Sequence, residues 1–143
     1  GFSRAQADKK FIRQGNRQYA KDKFPESEIF YRKAIDNNKA SADAMFNAGD
    51  ALYKQKKYED AGKQFVETHK MNEDKDKKSS SLYNLGNSML MANKLQESIE
   101  AYKNSLRLNP DNQEAKYNLA YAQDLLKKQE EQKKNGMIKK QQK

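Results

Sequence analysis

A recurring glycine sets the strongest constraint on how this chain can fold. Gly15, Gly49 and Gly86 stand 34 and 37 residues apart, and Ala120 follows 34 residues after the last of them. Each glycine lies in a stretch with apolar residues at helical spacing, such as "SLYNLGNSML" at 81–90. In a helix interior a glycine costs about 0.8–1.0 kcal/mol relative to alanine. The pattern therefore predicts a repeated helical unit in which the missing side chain permits close packing.

Three further positions keep this register: an aromatic residue or leucine nine residues after each glycine, a small residue after twelve and an aromatic residue after sixteen. They are Phe24, Tyr58 and Leu95; Ser27, Ala61 and Ser98; and Tyr31, Phe65 and Tyr102. The three extra residues between the second and third glycines fall in "NEDKDKKS" at 72–79, which is predicted to be a polar loop that tolerates insertion.

This 34-residue pattern resembles the tetratricopeptide repeat (TPR). It reads "MFNAGDALYKQKKYEDAGKQF" at 45–65 and "LYNLGNSMLMANKLQESIEAY" at 82–102, and the resemblance covers about residues 8–126. In that family each repeat is a pair of antiparallel helices, A and B. The resemblance implies that the glycine and the small residue twelve positions later mark the closest approach of A and B. We therefore expect Gly86→Leu to overpack this crossing, at a cost of about 1–3 kcal/mol.

The predicted fold is an all-α, TPR-type α-solenoid of three helix–turn–helix repeats plus a C-terminal capping helix. Its predicted parts are a lead-in at 1–7, repeats at 8–41, 42–78 (with the loop insertion) and 79–112, a capping helix or partial fourth repeat at 113–126, and a Lys/Gln-rich tail at 127–143. Local signals agree: Ser3 and Gln6 form a potential capping box, Pro25 fits the first turn of a B helix, and "NPDN" at 109–112 breaks the chain.

The two ends of the array follow from the side of each A helix that should face the preceding repeat. That side is small or apolar in the second and third repeats but polar in the first, so the array is predicted to begin there. The three sets are Ala44, Ala48 and Ala51; Ser81, Leu85 and Ser88; and Lys10, Gln14 and Arg17. After Pro110 an apolar stripe of Ala115, Leu119, Ala122 and Leu126 is predicted to cover the third repeat, with Lys116 and Gln123 on the far side.

The residue inventory argues against an enzyme. The chain has one histidine and no cysteine, which excludes disulfides, Cys–His nucleophilic sites and thiolate or His-rich metal sites. His69 is interpreted as a packing or solvated histidine. The acids of "NEDKD" lack the pattern of a calcium loop, and every glycine in the register is isolated within a helix rather than in a phosphate loop. We predict no catalytic residues, no metal and no cofactor.

The formal charge of +9 is uneven. Residues 127–143 hold seven lysines and two glutamates, so this tail carries +5. It is interpreted as a solvated tail, with contact to nucleic acid or an anionic surface as the alternative. Elsewhere the lysines are interleaved with acids, and the small-residue pattern matches TPR rather than the RNA-reading pentatricopeptide repeat, so nucleic acid is not the favoured partner.

In TPR proteins the side of the A helices opposite helix B lines a concave groove that holds an extended peptide or a partner helix. The candidate groove residues here are Arg13, Asn16, Phe46, Asn47, Asp50, Tyr53, Tyr83, Asn84, Asn87, Tyr117, Asn118 and Tyr121. Asn47, Asn84 and Asn118 recur at one repeat position, and an amide can bond a peptide backbone of any sequence. The alternative is that these asparagines and tyrosines belong to the repeat signature whatever the ligand.

One TPR subfamily can be tested directly. Co-chaperones that grip the C-terminal carboxylate of heat-shock chaperones use two asparagines and several cations at fixed repeat positions. Those places hold Ile12, Asn16, Asn47, Ser80 and Asn84 here. Both asparagines are present and every cation is absent, so a carboxylate would lose its charge-assisted bonds. Membership of that subfamily is not expected.

A narrower resemblance concerns the TPR proteins encoded with the bacterial aerotolerance (Bat) membrane proteins. "AKYNLAYAQDLLKKQEEQKK" at 115–134 and "FIRQGNRQYAKDKFPESEIFYRKAI" at 11–35 are similar to their last and first repeats. This likeness implies a periplasmic or envelope-associated location after signal removal, rather than a cytoplasmic one. It also implies von Willebrand A-domain membrane proteins as partners, and hence only indirect contact with the membrane. The expected function is a monomeric protein-interaction scaffold, and a structural self-association module is the alternative.

Overall fold

A computed structural model describes residues 4–142, and within that range the chain forms seven α-helices and no strand. The helices are α1 (Arg4–Ala20), α2 (Phe24–Asn37), α3 (Ala42–Lys54), α4 (Tyr58–Met71), α5 (Lys75–Met91), α6 (Leu95–Leu108) and α7 (Gln113–Gln141). Each helix packs mainly on the next one along the chain. The predicted all-α array of helix pairs is therefore confirmed, with α1, α3 and α5 as the A helices and α2, α4 and α6 as the B helices.

The turn from each A helix to its B helix has the same geometry in all three repeats. Asp22, Lys56 and Asn93 have φ values of 59°, 63° and 58°, in the left-handed region that favours glycine. The amide of the residue that follows each of them donates to a carbonyl five residues earlier, as in Lys23 to Gln18 at 2.9 Å. This bonding pattern caps the end of the A helix and aims the chain back along it.

The repeated glycines lie against aromatic rings of the B helices. A Cβ atom on Gly15, Gly49 or Gly86 would lie 2.4, 2.7 or 2.5 Å from a ring carbon of the aromatic residue sixteen positions later. The close partner of each glycine is thus this ring. The small residue twelve positions later is fully buried too, and in the third repeat the Ser98 hydroxyl donates to the Gly86 carbonyl at 2.8 Å.

The predicted ends of the array are confirmed. Ala44, Ala48 and Ala51 are fully buried between the first and second repeats, whereas Lys10 and Arg17 on the matching side of α1 are exposed. At the other end of the array, the predicted apolar stripe of α7 covers the third repeat. Its members Ala115 and Ala122 are fully buried, and Leu119 and Leu126 pack against the cluster around Ile99 and Tyr102. On the side of α7 where a further B helix would pack, the exposed residues are Lys116, Ala120 and Gln123, which is consistent with a capping helix.

One segment differs from its predicted conformation. Most of the predicted loop at 72–79 is helical, because α5 begins at Lys75 and the Asp74 side chain accepts from the amides of Asp76 and Lys77. The inserted residues therefore lengthen α5 to 17 residues, against 13 in α3. The lysine-rich tail is also helical as far as Gln141.

The last contact of α7 with the array is made by Gln129, whose side chain donates to Asn93 at 3.0 Å, and every residue from 130 to 142 is exposed. Pro25 lies in the first turn of α2, as predicted. Ser3 of the potential capping box lies outside the described residues. The numerical limits of the repeats remain predictions.

Candidate functional site

One continuous face carries most of the predicted site residues. We call it the A-helix face and define it by Asn16 and Tyr19 of α1, Asn47, Asp50 and Tyr53 of α3, Tyr83, Asn84 and Asn87 of α5, and Asn118 of α7. Two cavities and a set of hydrogen bonds connect these residues from one helix to the next. These residues lie on α1, α3, α5 and α7, and the contacts among them are visible only in the folded chain.

Two small cavities open on the A-helix face, one on each side of Asp50. The first, of about 110 Å³, lies between α1 and α3 and is lined by Asn16, Tyr19, Tyr31, Asn47 and Asp50. The second, of about 90 Å³, lies between α3 and α5 and is lined by Asp50, Tyr53, Phe65, Asn84 and Asn87. Asp50 is the one residue common to both linings, so it occupies the centre of the A-helix face.

The B helices contribute to this face through their aromatic rings. Because each ring lies over a glycine, the tip of the ring reaches the residue that follows the glycine on the A helix. Thus the Tyr31 hydroxyl donates to Asn16 at 2.7 Å, and the Tyr102 hydroxyl donates to Asn87. Sequence reasoning missed these rings as site residues. The signal was available in the pairing of each glycine with an aromatic residue sixteen positions later.

The second repeat lacks this hydrogen bond. Its ring is Phe65, which has no hydroxyl, and the residue after its glycine is Asp50 in place of asparagine. The half-buried Asp50 carboxylate accepts one long bond, 3.5 Å from the Asn84 amide. Burial raises the pKa of Asp50 to about 6, and Lys54 on the same helix opposes part of that rise. A carboxylate thus lies where each flanking repeat has an amide whose oxygen accepts a hydrogen bond from a tyrosine hydroxyl.

The three asparagines of the predicted ladder are not equally available to a ligand. Asn118 donates its amide protons to Asn87 at 3.1 Å and to the Tyr83 hydroxyl at 3.3 Å. Asn84 donates to Asp50, whereas the Asn47 side chain makes no hydrogen bond within residues 4–142. The amide of Asn47 therefore keeps its full bonding capacity for a ligand.

Four predicted site residues lie outside the A-helix face. Arg13 lines a depression of about 460 Å³ along the open flank of α1, together with other polar residues of that helix. Phe46 packs edge-on against Phe65, with 5.5 Å between ring centroids. Tyr117 and Tyr121 project from α7 and are 73% and 50% exposed. Their role in a site remains a prediction.

A larger cavity, of about 600 Å³, lies on the B-helix side of the second and third repeats. Its lining is largely apolar, with acidic residues of α6 around it; the residues are His69, Leu82, Leu85, Gln96, Glu97, Glu100, Ala101, Asn104, Arg107 and Leu108. His69 is half-buried there, as expected for a packing histidine, and burial, followed by Lys70 and Lys78, lowers its pKa.

Within residues 4–142, no three histidine or acidic side chains cluster in a way that could hold a metal ion. In the same range, no helix combines the length and apolar composition needed to cross a membrane.

Sequence profiles of the tetratricopeptide repeat match residues 12–73 and 79–112, which together make up well over half of the chain. The chain belongs to the tetratricopeptide repeat family. The predicted TPR-type α-solenoid with three repeats and a capping helix is thereby confirmed.

Solved TPR structures share this fold. The first TPR domain of Spaghetti (RPAP3) bound to the HSP90 peptide SRMEEVD is 23% identical, covers 85% of this chain and 94% of that one, and has a TM-score of 0.77. The second TPR domain of human RPAP3 with the HSP70 peptide SGPTIEEVD is 24% identical over 84% and 95% of the two chains, with a TM-score of 0.73. The yeast Sti1 TPR2AB domain in its HSP90 complex is 27% identical over 86% and 48%, with a TM-score of 0.74. No curated protein sequence gives a significant match.

Proposed function

We propose that this TPR protein is a non-enzymatic scaffold that binds a peptide segment or partner helix of another protein along the A-helix face. The observation that carries the proposal is the pair of cavities between successive A helices, which lie in line on either side of Asp50. A chain laid across the A helices would place successive side chains at these cavities. Solved TPR neighbours in complex with peptides support binding of this general kind.

The polar groups of the face suit an extended backbone. Asn47 and Asn84 are half-buried on adjacent A helices. The Asn47 amide offers both donors and an acceptor, and the Asn84 amide offers its acceptor and the donor that is not directed at Asp50. Tyr19, Tyr53 and Tyr83 stand beside them as half-buried rings, which give large contact area at a low entropy cost. We infer that the amides hold the ligand main chain while the rings form the walls of the groove.

The ligand chemistry proposed here differs from that of the neighbours. Their peptides, SRMEEVD and SGPTIEEVD, are acidic at the C-terminus. This chain has Ile12 and Ser80 at two of the positions where the carboxylate-gripping subfamily carries cations, and Asp50 at the centre of the face. A second carboxylate close to Asp50 would be repelled. We therefore do not expect acidic C-terminal peptides to be preferred.

The experiment is an Asn47→Ala/Asn84→Ala double variant, measured against an arrayed library of short random peptides. We expect the affinity for peptides that bind the native protein to fall about tenfold, because two net hydrogen bonds are lost. The melting temperature should hardly change, since Asn47 makes no internal side-chain bond within residues 4–142 and the Asn84 bond is long.

The matched control is Asn37→Ala/Asn135→Ala, which removes two amides outside the A-helix face and should leave affinity unchanged. If the Asn47/Asn84 double variant binds as well as the native protein, the proposed site is wrong. The next surface to test is then the cavity of about 600 Å³ on the B-helix side, and Leu85→Ala changes its lining.

The partner class proposed from the Bat resemblance is a von Willebrand A-domain membrane protein, in a periplasmic or envelope complex. Affinity capture from separate membrane and soluble fractions of the native host tests this, with the Asn47→Ala/Asn84→Ala variant as the control bait. We expect A-domain proteins in the membrane fraction with the native bait alone. Recovery of soluble partners only would refute the envelope assignment, and light scattering tests the proposed monomeric state.

A further inference from the structure

The second repeat holds an ionisable group where the repeats on either side hold an amide whose oxygen accepts a hydrogen bond. Asn16 and Asn87 each accept from a tyrosine hydroxyl, whereas the Phe65 ring offers no donor to Asp50. Asp50 forms no ion pair within the described chain; Lys54, one turn along α3, is exposed and does not reach it. The central carboxylate of the A-helix face therefore has acceptor capacity that the protein does not use.

We infer that the cavity between α1 and α3 receives a lysine or arginine side chain of the bound peptide, with Asp50 as its counter-charge. This inference rests on the proposed function, since it assigns a specificity to the same groove.

The groups that line this cavity suit a cationic side chain. Asp50 supplies a charge-assisted hydrogen bond, which is about twice as strong as a neutral one. Two tyrosine rings, Tyr19 and Tyr31, form walls that can face an ammonium or guanidinium group. The side-chain oxygen of Asn47 adds an acceptor with no other partner within residues 4–142. An anionic or purely apolar side chain would leave these acceptors unpaired.

The cavity on the other side of Asp50 suits a cation less well. There the Asn84 amide group points its own donor at the carboxylate, at 3.5 Å. A ligand cation would have to compete with that donor. On the side of the cavity between α1 and α3 the carboxylate accepts no hydrogen bond from residues 4–142, so a cation entering there adds a bond without displacing one.

The surrounding titratable groups give the inference a pH dependence. Around Asp50, α3 contributes Lys54 and Tyr53, α1 contributes Tyr19 and α2 contributes Tyr31; α4 and α5 contribute Phe65, Asn84 and Asn87, which do not titrate. Burial and the Asp50 charge both raise the pKa of Tyr19, and burial raises that of Tyr31 to about 12, so both stay neutral at physiological pH. With its pKa near 6, Asp50 is the group that loses charge as the pH falls from 7 to 5.

The test uses the full chain and a positional library of short peptides in which the central residue is lysine, arginine, norleucine, glutamine or glutamate and the other positions are mixtures. We expect the lysine and arginine pools to be retained about tenfold better than the norleucine pool at pH 7. That advantage should shrink about tenfold at pH 5, where most of Asp50 is protonated. Asp50→Asn should remove the preference at both pH values.

Asp43→Asn is the matched control, because it makes the same charge change at an exposed position on α3 outside both cavities. It should keep the preference for cations. Equal retention of all pools, weakened by Asn47→Ala/Asn84→Ala, would overturn this inference and leave the groove function standing. A preference for cations that survives Asp50→Asn would also overturn it. Retention of no pool would overturn both proposals.

Discussion

The first and third repeats share a pair of residues at the edge of the A-helix face, a tyrosine and an asparagine, that the second repeat replaces with Phe65 and Asp50. In the flanking repeats a tyrosine from the B helix crosses the glycine and donates to an asparagine on the A helix, as Tyr31 does to Asn16. In the second repeat the same geometry brings together Phe65 and Asp50. The ring packs on the glycine in all three cases, but only the flanking repeats close the interaction with a hydrogen bond.

This difference separates what holds the array together from what is left for a ligand. The ring-on-glycine contact is common to every repeat and is therefore the packing element. The polar pair at the ring tip can vary without changing the helices. In the second repeat this pair is Phe65 and Asp50, and burial of the Asp50 carboxylate disfavours its charged form. Perturbed ionisable groups in a cleft are typical of functional sites, and here the group stands between two cavities.

The largest effect should come from filling the space at a glycine. Gly86→Leu should cost about 1–3 kcal/mol of unfolding free energy, because its Cβ alone would lie 2.5 Å from the Tyr102 ring. Gly49→Leu should cost less, since Phe65 has no hydroxyl bond to hold its ring in place. Chemical denaturation measures both. Gly136→Leu is the control, because a Cβ there meets no atom within 4 Å. An equal cost at Gly49 and Gly86 would show that the hydroxyl bond does not anchor the ring.

A smaller effect on the free energy of unfolding is expected when the Asp50 charge is removed. The pKa of Asp50 in the folded protein, about 6, lies above its ordinary value of 3.8, so the folded state holds the proton more tightly than the unfolded state does. The contribution of this group to stability is then highest below about pH 4 and is lost as the pH rises through 6. Asp50→Asn should stabilise the protein by about 1–2 kcal/mol at pH 7, allowing for solvent contact of the half-buried group.

Denaturation of the native protein and Asp50→Asn across pH 4 to 7 measures this prediction. The difference between the two proteins should disappear towards pH 4, which separates the Asp50 effect from the titration of other acids. Asp43→Asn, which removes one carboxylate at an exposed site of the same helix, is the control for the loss of a charge. A constant difference across the range would mean that burial does not perturb Asp50.

The smallest effect on stability is expected when the ring hydroxyl of a B helix is removed or added. Tyr102→Phe removes the donor to Asn87 and should cost about 1 kcal/mol. Phe65→Tyr makes the reverse change in the second repeat. It should gain about the same amount at pH 7 by giving Asp50 a donor, and should weaken the retention of lysine peptides. Thermal melts of the two variants and their double variant check this. A loss of stability in Phe65→Tyr would show that the second repeat cannot accept the hydroxyl.

The helix array and its two ends could be predicted from the sequence, because in a solenoid each repeat is buried against repeats a fixed number of residues away. The alanines at Ala44, Ala48 and Ala51 identified a buried contact, and the charges at Lys10 and Arg17 identified the free end. Local polarity was a poorer guide. The segment at 72–79 was predicted to be a loop, yet most of it is helical.

By itself, the sequence determined that this chain is an array of three helix pairs with a cap, since glycine, small and aromatic residues at a constant period admit few other arrangements. The helix-pair geometry also determined which sides of the A helices are open. Only the tertiary structure decided which open polar groups are already satisfied. Whether the side chains of Asn118 and Asn47 have hydrogen-bond partners within residues 4–142 depends on contacts between residues about 30 or more positions apart, such as Asn118 with Asn87. Such contacts depend on ångström-scale distances across helices, and a repeat pattern does not encode them.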